Sequence, residues 1–540
     1  LLIGSAVIFL IAYVVYGSWL AKQWGIDPKR KTPAETQKDG IDYLPTKPAV
    51  LLGHHFSSIA GAGPIVGPIT AAVFGWVPVT LWIIVGSVFF GGVHDYGSLV
   101  ASLRHKGKSI GQIIEANIGE RAKILFAIFA WITLLVVIAA FANIVAATFV
   151  ANPSAGTSSL LFILLAVAFG LLVYRTGISL FLGTVLGLIG MAAAFYIGHI
   201  FPIVLSKDMW LLIMMGYIFV ASIAPVWILL QPRDYLNSFL LYLMIIAAFL
   251  GICFYQPTME ISPFVGFDLG GGQWLFPVLF VTVTCGAISG FHSTQSPIMA
   301  RCIKSEKEGR TVFYGAMVSE GIIALVWAAA GCAIYTGADL LAMGGGGSTT
   351  VYDVCSKTMG GVGIALAMLG VIACPITSGD TAFRSARLVL ADWFHIEQKS
   401  IKGRLMLCIP VLGVGAILGV GNALGKIDYT IIWRYFSWTN QTLAMIVLWA
   451  ASMYLFYEKK NYWITAVPAT FMSAVSITYF MLGNECLGQF LNHKTADGAV
   501  VYNTAVAYPV GIIAAALFLG IFLYSIKKRD VKPQYETLGK

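Results

Sequence analysis

Long apolar stretches recur along the whole chain, and they constrain its fold more than any other feature. A helix needs about 20 apolar residues to cross the roughly 30 Å hydrocarbon core of a bilayer. Only 11% of the 540 residues are charged, which excludes an ordinary soluble globular protein. The pattern predicts an all-α integral membrane protein with about 15 transmembrane helices, near residues 1–21, 50–73, 76–102, 122–149, 159–174, 177–201, 209–230, 235–255, 273–300, 312–337, 359–383, 405–424, 429–456, 462–482 and 504–526.

The positive charges are concentrated on one side of these spans. Alternate connections carry 29 of the 34 Lys and Arg residues, the other connections carry four, and Arg434 lies within a span. Because cytoplasmic loops are enriched in Lys and Arg, we expect the N-terminus outside and the C-terminus in the cytoplasm. The net charge of +9 then reflects orientation in a lipid bilayer, and nucleic acid is not an expected partner.

Two stretches contain helix-breaking residues near their middle. In GHHFSSIAGAGPIVGP (53–68), the Gly and Pro residues predict a helix that unwinds over Gly61–Gly63 and restarts near Pro64. The stretch 209–230 carries Ser222 and Pro225 and runs in the opposite direction. Interruptions at corresponding positions of two halves are typical of inverted-repeat transporters. The alternative is that these residues serve close helix packing.

This spacing predicts a LeuT-type core of five plus five helices, flanked by extra terminal helices. The expected divisions are an N-terminal helix with a basic loop (1–48), a transport core (49–390, with repeats 49–201 and 209–390) and further C-terminal helices with a tail (391–540). Backbone amides after Gly63 would favour an anionic substrate. We place the substrate site at the breaks and on the facing helix, with the residues Gly61, Ala62, Gly63, Pro64, Ser222, Pro225 and Gln295.

Polar residues within the spans are the candidates for cation coupling, since ionisable groups are costly in a bilayer. Histidine beside a carboxylate suits proton transfer, and hydroxyls suit Na⁺ as the alternative ion. A divalent metal held by His54, His55, His94, Asp95 or His292 is a second interpretation, and a hydrogen-bonded polar core is a third. Glu320 and Arg434 have no partner that the sequence identifies. The full coupling set is His54, His55, His94, Asp95, His292, Ser293, Thr294, Thr377, Ser378 and Asp380.

The chain carries no motif of an energy-coupling ATPase or of a known metalloenzyme. There is no Walker A pattern, so ATP is not the expected energy source, and there is no H-E-x-x-H spacing. We therefore expect no catalytic residues, no cofactor and no enzymatic activity. A membrane-embedded metalloenzyme that uses the His/Asp cluster, and a passive channel, remain as rival hypotheses. The oligomeric state is not indicated.

Five motifs resemble the carbon starvation protein A (CstA) family of transporters. They are GHHFSSIAGAGPIVGP (53–68), GGVHDYGSLVASLRHKGKSIG (91–111), QPRDYLNSFLLY (231–242), SGFHSTQSP (289–297) and FSWTNQTLA (436–444). The resemblance implies a LeuT-type fold of the APC superfamily and uptake of peptides or pyruvate across the inner membrane during carbon starvation. It also implies proton coupling, whereas a sodium-coupled amino acid or organic acid symporter is the alternative.

Overall fold

Helices make up most of the described structure. The structure is a computed structural model that describes residues 1–40, 42–255, 258–343, 354, 357, 378–396, 400–423, 429–494 and 500–528. The helices of the first part are α1 (Leu2–Ile11), α2 (Gly17–Gln23), α3 (Pro33–Thr36), α4 (Pro48–Ile59), α5 (Gly63–Ala71), α6 (Trp76–Val85), α7 (Gly92–Arg104), α8 (Ile110–Asn117), α9 (Glu120–Ala151), α10 (Pro153–Arg175) and α11 (Leu180–Ile200).

The second part continues with α12 to α23 and one short hairpin. Strands β1 (His493–Lys494) and β2 (Val500–Val501) pair antiparallel. The helices are α12 (Lys207–Ile223), α13 (Leu230–Tyr255), α14 (Phe280–Thr282), α15 (Ser296–Ala300), α16 (Ala316–Ile334), α17 (Gly337–Met343), α18 (378–394), α19 (Ile401–Ala423), α20 (Tyr429–Tyr457), α21 (Trp463–Leu482), α22 (Gly488–Leu491) and α23 (Thr504–Lys528).

The helices have the length and composition of membrane spans. Within the described residues, nine helical stretches are long and apolar enough to cross a bilayer, and the bent pair α4–α5 would make ten. Large apolar side chains on peripheral helices face outward, as with Phe181, which is 80% exposed, and Leu517, which is 59% exposed. A soluble protein would not leave such surfaces bare. The prediction of a helical, multi-pass membrane protein is confirmed.

The predicted number of transmembrane helices and the predicted repeat are not confirmed. The predicted count of about 15 is not reached by the nine or ten spans found, since α12 has only 17 residues and the stretch 273–300 is interrupted. The predicted span 359–383 lies outside the described residues up to position 377. The full count and the five-plus-five repeat therefore stay predictions.

The segment that joins α4 to α5 lies in the interior of the helix packing. Helix α4 packs against α13, α5 packs against α16, and α20 packs against α9 and α21. A first hydrophobic core contains Ile65 and Ile69 of α5, and a second contains Ala62 and Val66 on the other side of the same segment. The segment that joins α4 to α5 is thus enclosed by apolar side chains on both sides.

Candidate functional site

The first interruption separates α4 from α5. Ala60 leaves the helix with φ −75° and ψ 65°, and α5 begins at Gly63 with Pro64 in its first turn. The axis bends by 45° between the two helices. Proline fits the first helical turn because the amide hydrogen that it lacks has no partner there. The predicted break over Gly61–Gly63 is therefore present.

A second interruption lies in the stretch 273–300, which the sequence predicted as one span. Helix α14 ends at Thr282, and a 3-10 helix begins only at Gly290. Val283 leaves helical geometry with φ −78° and ψ 73°. We call residues 283–289 the unwound segment. The prediction of one continuous helix here is wrong, because part of the segment's backbone is bonded by side chains of another helix and not by its own turns.

The two interruptions touch each other through glycine. An ideal Cβ at Gly63 would lie 2.5 Å from Sγ of Cys285, and one at Gly67 would lie 2.4 Å from the carbonyl oxygen of Thr282. No side chain fits at those distances, so glycine at both positions permits this close approach. The amides of Ile65 and Val66 donate to the carbonyl of Ala62. Two of the amides that were predicted to bind an anion are therefore occupied.

We expect Gly63→Val to abolish uptake and to lower thermal stability. The added side chain would collide with Cys285, and overpacking of this kind costs about 1–3 kcal/mol. Uptake into proteoliposomes and melting of the purified protein would measure the two effects. Gly337→Ala is the control, since an added Cβ there meets nothing within 4 Å. Normal substrate affinity in the Gly63→Val variant would contradict a role for this contact in binding.

Helix α20 supplies the hydrogen bonds that the unwound segment needs. Nε2 of Gln441 donates to the carbonyls of Thr284 and Ile288 at 3.1 and 3.2 Å. Oδ1 of Asn440 accepts from the amide of Phe291 at 2.8 Å and from Oγ of Ser289 at 3.2 Å. Buried backbone groups need such partners. The pair Asn440 and Gln441 therefore stabilises the interruption.

Asn440→Ala is expected to lower the free energy of unfolding by about 1–3 kcal/mol, because the amide of Phe291 would be left buried without its acceptor. Thermal or denaturant unfolding in detergent would measure this. Asn461→Ala is the control, since Asn461 makes an exposed bond of 3.1 Å to the amide of Trp463. Equal losses in both variants would show that Asn440 has no special part in holding the segment.

Four titratable side chains form a buried chain beside the unwound segment, and we call them the histidine relay. Nδ1 of His94 lies 2.7 Å from one oxygen of Asp95, and Nδ1 of His292 lies 2.8 Å from the other. Nε2 of His292 lies 3.4 Å from a carboxyl oxygen of Glu320. All four side chains are fully buried. The relay joins α7, the 3-10 helix and α16.

The two ends of the relay lack hydrogen bonds. Nε2 of His94 and both carboxyl oxygens of Glu320 are buried without a hydrogen-bond partner. An ionised carboxylate in that position is costly unless a proton or another cation neutralises it. The sequence left Glu320 without a partner, and the structure places it at the end of the relay.

A second buried cluster, which we call the arginine network, lies where α4, α12, α13 and α18 meet. Arg233 donates from Nε to Oδ1 of Asp234 and from Nη2 to Oδ1 of Asp380, each at 3.0 Å. Nδ1 of His54 lies 2.6 Å from Oδ2 of Asp234, and Tyr217 donates to Oδ2 of Asp380 at 3.1 Å. One guanidinium thus faces two carboxylates, and His54 and Tyr217 lie within hydrogen-bond distance of them.

His55 lies between the two clusters. Its ring stacks on Phe313 with centroids 3.9 Å apart, and neither ring nitrogen has a hydrogen bond. Its ionisable neighbours are Asp95 and His292 of the relay and His54 of the arginine network. Of the predicted coupling residues, His54 and Asp380 belong to the arginine network, and His94, Asp95 and His292 belong to the relay.

The remaining predicted residues lie in the 3-10 helix, directly after it and in α18, and they differ in their hydrogen bonds. The hydroxyls of Ser293 and Thr294 donate to the nearby carbonyls of Gly290 and Phe291, each at 2.7 Å. The side-chain amide of Gln295 is buried without a hydrogen-bond partner. Oγ of Ser378 donates to the carbonyl of Ser58 at 2.8 Å, which ties α18 to α4 next to the first break. Thr377 lies outside the described residues.

The predicted break at Ser222 and Pro225 marks the end of a helix. Helix α12 ends at Ile223, Ala224 is extended, and α13 begins at Leu230. Three buried arginines donate to the final carbonyls of α12: Arg387 to Ser222 at 2.7 Å, Arg404 to Ile223 at 2.8 Å, and Arg384 to Ala221 at 3.1 Å. Cations suit the negative end of a helix dipole. A substrate role for Ser222 and Pro225 stays a prediction.

One group of metal-binding side chains occurs in the described part of the chain. Ligand atoms of Cys285, His292 and Glu320 lie within 4.8 Å of one another, and all three residues are buried. Of the five predicted metal candidates, this group contains only His292. The thiolate, imidazole and carboxylate of such a set suit a zinc-like ion.

Several residues at these clusters were missing from the predicted site. Arg233 and Asp234 follow one another in QPRDYLNSFLLY and were counted as part of a loop, whereas α13 begins at Leu230 and buries both. The sequence offered a signal here, because an adjacent Arg and Asp at the edge of a span are costly to bury unless each has an oppositely charged partner. Tyr217 gave no signal, because a single tyrosine in a span is ordinary. Asn440 and Gln441 lay inside a quoted motif without an assigned role.

The chain matches a model of a known protein family and several curated proteins. The family model is "Carbon starvation protein CstA", matched at residues 1–339 and 329–479. Peptide transporter CstA of Campylobacter jejuni is 30% identical, with 88% of this chain and 79% of that protein covered. Peptide transporter CstA of Helicobacter pylori is 31% identical, with 89% of this chain and 81% of that protein covered. Pyruvate/proton symporter BtsT of Escherichia coli is 33% identical over 60% of this chain and 48% of its own length.

Solved structures share the fold at low sequence identity. A crystal structure of a mutant Eremococcus coleocola manganese transporter has a TM-score of 0.52 at 12% identity. The match covers 90% of this chain and 95% of that chain. At this identity the likeness concerns the fold alone.

Proposed function

The chain belongs to the carbon starvation protein CstA family, and on this premise we propose that it is a proton-coupled secondary transporter that imports peptides or pyruvate during carbon starvation. Relatives named as peptide transporters and as a pyruvate/proton symporter support both substrates. Both substrates carry a carboxylate. The protein is a transporter and not an enzyme in this proposal, with a small organic acid or peptide as its partner and the inner membrane as its location.

The proposed architecture is a LeuT-type core of two inverted five-helix repeats with extra terminal helices. The bent pair α4–α5 and the unwound segment support a transporter with interrupted helices, because two such helices in contact are what these transporters use for binding. The second interruption lies in 273–300 and not in 209–230, where the predicted repeat had placed it. The proposed orientation, with the N-terminus outside, rests on the 29 positive charges in alternate connections.

The observation that carries the coupling proposal is the histidine relay. The distance from His94 to Asp95 is 2.7 Å, from Asp95 to His292 it is 2.8 Å, and from His292 to Glu320 it is 3.4 Å. A proton can pass along hydrogen bonds between His94 and His292 through Asp95, since each imidazole carries two nitrogens that donate or accept. The 3.4 Å step from His292 to Glu320 has no hydrogen bond in this structure and would have to shorten for transfer. Both ends lack internal hydrogen bonds, which suits groups that exchange protons with water during part of the cycle.

The relay acts on the substrate site through the unwound segment. His292 lies in the 3-10 helix that follows this segment, and Cys285 within the segment touches Gly63 at the first break. His54 and His55 lie on α4, five or six residues before Ala60. A change of charge at these histidines would therefore alter the elements that border both breaks. Substrate binding at Gly61–Pro64 and Gln295 would favour one protonation state, which is the basis of symport.

Uptake into proteoliposomes tests the proposal. Labelled pyruvate and labelled dialanine are offered separately with a proton gradient, with a sodium gradient, and after each is collapsed by an ionophore. We expect the proton gradient to drive accumulation of at least one of the two substrates. Accumulation driven by sodium alone would favour the alternative of a sodium-coupled symporter, and uptake that ignores both gradients would overturn coupled transport. A bound stoichiometric metal lost on Cys285→Ser would point to the metal interpretation.

A further inference from the structure

A cavity opens at the end of the fold that the charge distribution assigns to the outside. Its volume is about 120 Å³, and it is lined by residues 271–274, by residues 483–485 and by parts of α5, α14, α17, α20 and α21. That volume holds several water molecules, and therefore a carboxylate group. Thr282 forms part of its wall, and the unwound segment begins at the next residue. The cavity thus lies on the outer approach to the interrupted helices.

Arg434 provides a positive charge in this cavity. It lies six residues into α20, and its side chain is exposed. Among the described residues, no carboxylate oxygen lies within 4 Å of its guanidinium nitrogens, in contrast to Arg233 and Arg104, which pair with acids. Outer connections are poor in Lys and Arg, so orientation does not explain this charge. An arginine near a bilayer without an acidic partner is a functional candidate.

The one acidic side chain in the lining is already engaged. A carboxyl oxygen of Glu485 accepts the hydroxyl of Tyr479 at 2.5 Å. Neutral polar groups of Gln273, Ser437 and Asn484 complete the polar part of the wall. The guanidinium therefore faces neutral polar groups, open space and one carboxylate, which lies beyond 4 Å and already accepts a tyrosine hydroxyl. Its donors remain open to a bidentate pair of hydrogen bonds with an incoming carboxylate.

We propose that Arg434 is an outer binding subsite that captures the carboxylate of the substrate before it reaches the interrupted helices. This inference rests on the proposed uptake of peptides or pyruvate, and it adds a recognition rule, since a carboxylate on the substrate would lower the KM for uptake. Pyruvate and a peptide C-terminus share that group. A substrate without it would enter without help from Arg434.

Kinetics of purified variants in proteoliposomes test the subsite. The probes are pyruvate, dialanine and dialanine C-terminal amide, and the variants are Arg434→Gln and Arg434→Lys. We expect Arg434→Gln to raise KM for the carboxylate probes at least about tenfold with little change in maximal rate, and Arg434→Lys to have an intermediate KM, because lysine keeps the charge but lacks the planar fork. For the amide, wild type and Arg434→Gln should be equal.

The control variant is Lys494→Gln, which removes an exposed positive charge in β1 on the same side of the protein. An unchanged KM in Arg434→Gln, or an equal loss for dialanine and its amide, would overturn the subsite while leaving transport established. Direct calorimetric binding of the three probes to wild type in lipid nanodiscs separates the remaining outcomes. Binding of the acids without uptake would contradict the proposed function alone. Neither binding nor uptake would overturn both.

Discussion

Replacing Glu320 with glutamine is expected to reduce proton-driven accumulation of substrate to the level of empty liposomes. Glutamine has nearly the same shape, but it cannot carry a proton, so the relay would end at His292. Neither carboxyl oxygen of Glu320 has a hydrogen bond, and the substitution therefore breaks none. Exchange of labelled for unlabelled substrate across the membrane needs no net proton movement, and we expect it to persist.

The comparison of driven uptake with exchange separates a coupling role from a structural one. Glu308→Gln is the matched control, because Glu308 lies in a basic connection, away from the relay, and accepts a 3.3 Å bond from the amide of Lys304. Glu320→Asp should recover part of the driven uptake. Wild-type accumulation in Glu320→Gln would refute the relay, and equal loss of uptake and exchange would assign Glu320 to binding or folding.

Removal of Arg233 is expected to have the largest effect on stability. Arg233→Gln leaves Asp234 and Asp380 buried without their shared cation, and breaking a buried ion pair in this way costs about 3–5 kcal/mol. Melting in detergent and the yield of folded protein would measure the loss. The double variant Arg233→Gln with Asp380→Asn should recover part of it, since one of the two uncompensated carboxylates becomes neutral.

Arg121→Gln provides the comparison for this experiment. Arg121 is exposed near the start of α9, so the loss of its charge should change stability by less than about 0.5 kcal/mol. A melting temperature of Arg233→Gln equal to that of wild type would mean that the two aspartates do not depend on the arginine. Failure of the double variant to recover would mean that Asp380 is needed as an acceptor for Tyr217.

The sequence predicted the features that depend on local composition. Apolar stretches gave the helical membrane architecture, and the Gly and Pro residues of 61–64 gave the first interruption. Isolated His, Asp and Glu residues in spans were identified because their cost in a bilayer is high. Those predictions follow from properties of single residues and their neighbours in the chain.

The features that were missed depend on contacts between distant residues. The unwound segment contains no proline and lies inside an apolar stretch of membrane length, so its interruption becomes clear only when Asn440 and Gln441 are seen to bond it. Arg384, Arg387 and Arg404 read as orientation charges in a loop, yet they are buried and cap α12. A count of charges by position cannot distinguish a solvated arginine from one that binds carbonyl groups.

The hydrogen bonds from Asn440 and Gln441 determine how short a fragment of this chain can be and still hold the unwound segment. These residues lie 50 positions beyond residue 390, where the predicted transport core ends, yet they bond to the carbonyls of Thr284 and Ile288 and to the amide of Phe291. A fragment that stopped at residue 390 would leave these backbone groups bare in a place that water reaches poorly. Any rearrangement of the unwound segment must carry α20 with it or exchange these bonds for others. Helix α20 follows the predicted core in the chain, but through these bonds it takes part in any movement of the unwound segment.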